Sequence, residues 1–258
     1  MLTVPSKDGT TIAFDWLGAG PAVVLVGGVA TTRVANAPLA DALAERCTVI
    51  NYDRRGRGDS GDTPPYSVDR EVADLEALIS AVGGSACVYG NSSGGALALE
   101  AAARGLPIVK LALWEPPFNV DADAPRRHQE YADKLTDLLA EGRRGDAVEL
   151  FMTLVGRTPK FIAQARRGPW WPATEALAPT LAYDALLMGD SSVPTQRISS
   201  IGVPTLVLDS EASPGWAART ADAVAEVLPN ARRMTLDGQD HRVAPSVVAP
   251  VLIDFFTQ

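Results

Sequence analysis

Residues 86–95 read ACVYGNSSGG, a stretch that joins a short apolar run to an alanine-rich segment. It contains the pattern Gly90-x-Ser92-x-Gly94. A sharp turn from a strand into a helix crowds the backbone, so small residues are needed on either side of its tip. Such a turn would lift Ser92 above the sheet and aim the N–H groups of the following helix at developing negative charge. The plainer alternative is a glycine-rich helix start whose serines face solvent.

Short apolar runs alternate with helical patterns on both sides of this turn. Strands are expected over residues 11–17, 22–26, 47–52, 86–89, 109–114, 204–208 and 232–236. Helices are expected over residues 37–44, 68–82, 94–104, 217–228 and 245–256. Several of the strand runs are continuously apolar, which is typical of strands buried on both faces. The alternation predicts an α/β fold with a mostly parallel sheet flanked by helices.

The alternation is interrupted between residues 118 and 200, where only helices are expected. They cover residues 126–141, 145–155, 161–166 and 175–188, the last of which Pro179 interrupts. We therefore expect one core formed by residues 1–117 and 201–258, with residues 118–200 inserted as a helical cap. The cap contains Trp170 and Trp171, which we predict to bind a mainly apolar substrate. Packing of the cap itself explains these two side chains equally well.

Charge and composition exclude several classes of partner. The formal net charge is −8 at pH 7, so the chain would repel phosphate backbones and nucleic acid is not an expected partner. Residues 1–5 do not resemble a signal peptide and no apolar run could span a bilayer, so we expect a cytoplasmic protein without membrane contact. Cys47 and Cys87 lie in apolar runs and are expected to be reduced and buried. The expected partner is a small-molecule substrate, with no metal and no cofactor, and a homodimer stays open.

A serine hydroxyl is a weak nucleophile at neutral pH and requires a general base. The chain has two histidines, His128 and His241. His128 lies in the expected cap, where a surface role is the simpler interpretation. His241 lies in the loop after the last expected strand, which is the position of the base in this arrangement. We predict His241 as the base for Ser92; the alternative is a solvated loop histidine.

An acyl-transfer site also needs two N–H groups that stabilise an oxyanion. One is expected from Ser93, the residue after the nucleophile, and the other from Val29 in the loop after the strand over residues 22–26. That loop reads Gly27-Gly28-Val29, and Gly28 is a predicted substrate-binding residue. An ordinary tight turn would also explain the two glycines.

A further motif follows the strand over residues 47–52. Residues 52–60 read YDRRGRGDS, which is similar to the Asp-x-Arg-Gly-x-Gly-x-Ser loop of many α/β-hydrolase superfamily members. With the serine turn and the late histidine, this motif makes the chain resemble that superfamily over nearly its whole length. The resemblance implies the α/β-hydrolase fold, a Ser–His–acid triad and a structural role for this loop near the site. Family members often have His-Gly after the third strand; Gly27 replaces that histidine here, so the contacts of the loop are expected to differ.

The resemblance leaves the triad acid open. Most members carry an aspartate shortly after the strand that corresponds to residues 204–208, but Ser213 occupies that position here. Some members place the acid after the preceding core strand, and Glu115 directly follows the strand over residues 109–114. We predict Glu115 as the partner of His241 and Glu211 as the second candidate. A solvated carboxylate at a strand end is the alternative for Glu115.

These residues predict a serine hydrolase that cleaves a small, mainly apolar ester, thioester or lactone. Two other classes stay open. One is a non-hydrolytic enzyme on the same scaffold, such as a lyase, a cyclase or a cofactor-free perhydrolase. The other is a non-catalytic ligand-binding member, which the presence of both Ser92 and His241 disfavours.

Overall fold

A single eight-stranded sheet forms the centre of the structure, a computed structural model that describes residues 1–258. The strands are β1 (Leu2–Pro5), β2 (Thr11–Leu17), β3 (Ala22–Val26), β4 (Thr48–Tyr52), β5 (Ala86–Asn91), β6 (Ile108–Trp114), β7 (Thr205–Ser210) and β8 (Ala231–Leu236). Their order across the sheet is β1-β2-β4-β3-β5-β6-β7-β8. Strand β2 pairs antiparallel with β1 and β4, and every other pair is parallel. This confirms the predicted α/β fold class.

Helices cover both faces of the sheet and bury its central strands. The helices of the sheet region are α1 (Arg33–Leu43), α2 (Val68–Ala81), α3 (Ser93–Ala103), α10 (Gly215–Val227) and α11 (Pro245–Thr257). Alternate residues of β3 enter two separate apolar clusters. Val24 belongs to the cluster that includes residues of α2, α3 and α10, and Val23 to the one that includes residues of α1 and α11. Because both faces are covered, β3 is apolar throughout, as its sequence indicated.

The edge strand β1 is absent from the sequence prediction. It has only four residues, most of them exposed, and it pairs with β2 alone. A short, exposed edge strand carries little hydrophobic pattern, so its conformation follows from pairing with its neighbour.

Only helices lie between β6 and β7. They are α4 (Ala124–Ala140), α5 (Arg144–Leu154), α6 (Pro159–Ala165), α7 (Trp171–Leu177), α8 (Leu181–Met188) and α9 (Thr195–Ile198). We call residues 118–200 the helical insertion. It has an apolar cluster of its own, and Val29 and Ala30 from the loop after β3 pack against that cluster. The insertion therefore covers the loop that follows β3.

The helical segment predicted over residues 175–188 is interrupted at Pro179, as the sequence indicated: the chain forms α7, a 3-10 turn over Ala178–Thr180 and then α8. Pro179 lies in that turn. Proline has no N–H to donate, so one hydrogen bond of a continuous helix is missing there, although Ala178 before it keeps helical dihedrals (φ −53°, ψ −38°). None of the helices combines the length and the apolar composition that crossing a membrane requires.

Candidate active site

Ser92 lies at the tip of the turn between β5 and α3. Its backbone has φ 53° and ψ −124°, a conformation that residues with a side chain rarely adopt. The Ser92 N–H donates to the carbonyl oxygen of Trp114 at the end of β6, over 2.9 Å. Strained backbone persists only where its surroundings determine it, and such positions cluster at functional sites. The turn is therefore held in place by the neighbouring strand.

Gly90 and Gly94, on either side of Ser92, leave no room for side chains. A Cβ on Gly90 would lie 2.5 Å from the carbonyl oxygen of Gly94, and a Cβ on Gly94 would overlap the carbonyl oxygen of Val26. On the other side of the site, a Cβ on Gly28 would lie 3.3 Å from the Ser92 Cβ. The loop after β3 thus runs directly against the serine turn, and Gly28 is close to Ser92 as its predicted role requires.

The backbone amides of Val29 and Ser93, the two predicted oxyanion donors, are without a hydrogen-bond acceptor within the protein. The N–H of Val29 donates no hydrogen bond within the protein. Ser93 is the first residue of α3, and the N–H groups of a first helical turn have no partner inside the helix. Both N–H groups are thus free to donate to a bound ligand.

The side chains of His241 and Glu115 are hydrogen-bonded. His241 Nδ1 lies 2.6 Å from Glu115 Oε2, and Glu115 is only 1% exposed. The other carboxylate oxygen accepts from the Ser210 N–H over 3.2 Å and from Ser210 Oγ over 2.7 Å. Burial by itself would raise the pKa of Glu115, but the hydrogen bonds from His241, Ser213 and Ser210 outweigh it and lower the pKa. Glu115 is therefore a carboxylate at neutral pH.

The structure gives the other carboxylates of this region different partners. Glu211 is exposed, and its Oε2 accepts from the Gly238 N–H over 3.3 Å. Asp209 is buried and binds Arg233 Nη2 at 2.7 Å. Ser213, which stands where most relatives carry an aspartate, lies 2.7 Å from Ser210 Oγ and so belongs to the hydrogen-bond chain that ends on Glu115.

The imidazole of His241 keeps one nitrogen free. The side chain is 41% exposed, and only Nδ1 makes a hydrogen bond within the protein. Ser92 Oγ also has no hydrogen bond to another protein group, including His241 Nε2. Hydrogen bonds between nucleophile and base are often long in ligand-free enzymes and shorten when the substrate binds, so this geometry is compatible with a Ser–His pair.

A buried charged cluster lies behind the loop that follows β3. Arg54 binds Glu71 through Nε at 2.6 Å and Nη2 at 2.9 Å, and its Nη1 lies 2.9 Å from Asp184 Oδ1. Arg57 binds Asp184 Oδ2 at 2.7 Å. The two arginines belong to the motif over residues 52–60, whereas Asp184 belongs to α8 of the helical insertion. The motif therefore joins the insertion to the core. The sequence around Asp184 contains no pattern that predicts this contact.

The predicted cap residues lie in different environments. Trp171 is 5% exposed and packs within the apolar cluster of the insertion, which favours a packing role. Trp170 is 45% exposed, and its contact with substrate stays a prediction. His128 is half-buried, with Nε2 3.1 Å from the Ala185 carbonyl oxygen, so the expectation of a surface side chain is wrong. Packing between α4 and α8 brings these two residues together.

Two further features lie apart from the serine turn. A cavity of about 460 Å³ on the helical insertion, around Arg143 and Glu175, includes neither Ser92 nor His241. No group of three or more His, Cys, Asp or Glu side chains has an arrangement that could hold a metal ion.

Comparison with known proteins agrees with this fold. The sequence pattern of the alpha/beta hydrolase family matches residues 22–250, so the chain belongs to that family. It is 56% identical to an alpha/beta hydrolase from Sphaerobacter thermophilus DSM 20745. The crystal structure of that protein superposes with a TM-score of 0.92, and the match covers 99% of this chain and 100% of the other.

Two curated relatives are named as hydrolytic enzymes. The chain is 25% identical over 255 residues to 2-(acetamidomethylene)succinate hydrolase from Mesorhizobium japonicum, a match that covers 92% of this chain and 88% of the relative. It is 31% identical over 140 residues to N-formylmaleamate deformylase from Pseudomonas putida, a match that covers 52% of each chain. The chain also matches 11% of the length of a polyketide synthase, ThaQ, from Burkholderia thailandensis.

Proposed function

We propose that the protein is a serine hydrolase that cleaves a small, mainly apolar ester, thioester or lactone through a Ser92–His241–Glu115 triad. The observation that carries the proposal is the 2.6 Å hydrogen bond between His241 Nδ1 and the buried Glu115 carboxylate. A buried carboxylate on Nδ1 selects the tautomer in which Nε2 can accept a proton. His241 Nε2 is the nitrogen that remains free.

The proposed reaction has two steps. Ser92 Oγ attacks the acyl carbon while His241 Nε2 takes its proton, and the Val29 and Ser93 N–H groups stabilise the oxyanion. His241 then protonates the leaving group, which leaves an acyl-serine. A water molecule, deprotonated by His241 Nε2, then attacks the acyl carbon. The bond from that carbon to Ser92 Oγ breaks, His241 returns the proton to Ser92 Oγ, and the acid is released. Throughout, Glu115 stabilises the positive charge that forms on the imidazole.

The surroundings of the turn support an uncharged acyl group. Val29 and Ala30 pack against the apolar cluster of the insertion. The nearby guanidiniums of Arg54 and Arg57 are already paired with Glu71 and Asp184, so they offer no unpaired positive charge to an anionic group. Two relatives are a deformylase and a hydrolase of an acetamido compound, so amides belong in the same substrate panel.

The test is covalent labelling with a fluorophosphonate, followed by peptide mass spectrometry and assays with p-nitrophenyl esters. We expect an adduct on Ser92, loss of labelling in Ser92→Ala and a large reduction in His241→Ala. Product formed in H₂¹⁸O should carry one ¹⁸O in its carboxyl group. An unlabelled Ser92 in folded protein would reject the proposal, and turnover without ¹⁸O uptake would indicate a lyase or a cyclase instead.

A further inference from the structure

The guanidinium of Arg57 is fixed behind the loop that follows β3. Its side chain is 0% exposed, and Nη1 donates to the carbonyl oxygen of Gly28 over 2.6 Å. Thr31 Oγ1 donates to the same oxygen over 2.9 Å. The Gly28 carbonyl therefore has two donors, one of them charged.

These contacts also orient the amide of Val29. The Gly28 carbonyl and the Val29 N–H belong to one planar peptide group and point in opposite directions. A donor that fixes the oxygen on one side thus fixes the direction of the N–H on the other side. The N–H faces away from Arg57, and it is the amide that we assign to the oxyanion hole.

The positive charge of Arg57 also strengthens this amide as a donor. Charge-assisted hydrogen bonds are stronger than neutral ones, and hydrogen bonds in a chain polarise one another. A guanidinium on the Gly28 oxygen withdraws electron density from the peptide group, so the Val29 N–H becomes more positive. A more positive N–H stabilises the oxyanion of the transition state more than it stabilises the neutral carbonyl oxygen of the bound substrate. The polarisation therefore lowers the activation barrier and has little effect on substrate affinity.

Asp184 connects the two donors of the oxyanion hole to the helical insertion. Its Oδ2 accepts from Arg57, and its Oδ1 accepts from Ser93 Oγ over 2.8 Å. Arg54 Nη1 also reaches the Ser93 hydroxyl, over 3.1 Å. One carboxylate from α8 thus holds the arginine behind Val29 and the side chain of Ser93.

We infer that Arg57 and Asp184 are positioning residues for the oxyanion hole: Arg57 orients and polarises the Gly28–Val29 peptide, and Asp184 ties both donor residues to the helical insertion. Neither side chain has to touch the substrate in this role. The inference deepens the proposed hydrolase and rests on it.

The experiment compares Arg57→Met with Arg55→Met. Arg55 is a matched control, because it is equally buried and paired with Asp74 at 2.7 Å and Asp8 at 3.0 Å, but it makes no contact with the loop after β3. Each substitution removes a buried guanidinium and its bonds to a carboxylate; Asp184 keeps Arg54 Nη1 at 2.9 Å in Arg57→Met. Thermal unfolding checks that each variant is folded before p-nitrophenyl ester turnover is measured.

We expect kcat of Arg57→Met to fall by about 100-fold with KM within about twofold, as for the loss of one oxyanion donor. Affinity for a trifluoromethyl ketone, which forms a tetrahedral oxyanion on serine, should fall in parallel. Arg57→Lys restores the charge and should recover part of both losses. A folded Arg57→Met with the kcat of Arg55→Met would overturn the inference.

Thr31→Val is the second variant if Arg57→Met does not fold. It removes one donor from the Gly28 oxygen, and we expect a reduction in kcat of roughly fivefold, the effect of one ordinary hydrogen bond. An unchanged kcat would count against an oriented Gly28–Val29 peptide.

The Val29 amide proton resonance separates this inference from the hydrolase proposal. Loss of polarisation should move that resonance upfield in Arg57→Met and leave it in place in Arg55→Met. If the fluorophosphonate does not label Ser92 and the wild-type protein does not hydrolyse esters, the hydrolase proposal is rejected. The Val29 resonance still shows in that case whether Arg57 polarises this peptide. A resonance that does not move in Arg57→Met would reject the polarisation.

Discussion

The indole Nε1 of Trp114 donates a hydrogen bond to the main-chain carbonyl oxygen of His241, over 3.0 Å. The next residue, Glu115, binds the imidazole of the same histidine through its carboxylate. The carbonyl oxygen of Trp114 also accepts from the Ser92 N–H. The end of β6 therefore holds the serine turn and both the backbone and the ring of His241.

Replacing Glu115 by Gln should reduce kcat by about 10⁴-fold, because an amide on Nδ1 permits the wrong imidazole tautomer. Single-turnover acylation of a p-nitrophenyl ester measures this loss directly. Glu211→Gln is the matched control and should retain wild-type kcat, since Glu211 contacts Gly238 rather than His241. Equal losses in the two variants would contradict the assignment of Glu115.

Gly94→Ala should prevent folding or reduce the free energy of unfolding by about 4 kcal/mol or more, because the new Cβ overlaps the Val26 carbonyl oxygen in rigid backbone. Gly95→Ala is the control: its nearest neighbour would be the Gly90 carbonyl oxygen at 3.3 Å, so a small shift accommodates it. Urea unfolding of the two variants gives the comparison. A Gly94→Ala protein as stable as Gly95→Ala would show that the turn adapts.

Trp171→Ala should reduce the free energy of unfolding by about 3 to 5 kcal/mol, the usual effect of emptying a buried aromatic site. Trp170 is 45% exposed, so Trp170→Ala should change stability by less than about 1 kcal/mol. The KM of Trp170→Ala for p-nitrophenyl esters tests its predicted contact with substrate. Equal stability of both variants would exclude the packing role of Trp171.

The cluster around Asp184 should make stability depend on pH in the acid range. Burial alone would raise the pKa of Asp184, but the guanidiniums of Arg57 and Arg54 outweigh it, and the pKa lies below its ordinary value. The folded protein thus binds fewer protons here than the unfolded chain does. The contribution to stability is complete above the unfolded pKa of about 4 and is lost as the pH falls through the folded pKa.

The free energy of unfolding of Asp184→Asn at pH 7 should therefore be lower than that of the wild type by about 3 kcal/mol or more. On acidification, the variant should lose less stability than the wild type loses. Thermal unfolding between pH 3 and pH 7 measures both effects. Asp137→Asn provides the control, because Asp137 is an exposed aspartate of α4. Parallel Tm profiles for the wild type and Asp184→Asn would contradict a lowered pKa at this position.

Local sequence features were sufficient for most of the core. Strands such as β3 are continuously apolar because helices cover both faces of the sheet, and the glycines around Ser92 are required by backbone crowding. Both signals lie within a few residues of the feature that they predict. The interruption at Pro179 is marked by the proline itself, whereas the edge strand β1 has no local pattern of that kind.

By itself, the sequence determined the α/β fold class, the serine turn at Ser92 and the short set of carboxylates that could serve His241. The resemblance to relatives favoured Glu115 over Glu211, and the tertiary structure brought its carboxylate to His241 Nδ1. Only the tertiary structure brought Asp184 of the insertion to Arg57 and Ser93. The reason is physical: turn geometry and hydrophobic periodicity act between neighbours in the chain. Contacts between side chains far apart in sequence depend on how β6, β7 and the helical insertion pack, and no local pattern encodes that packing.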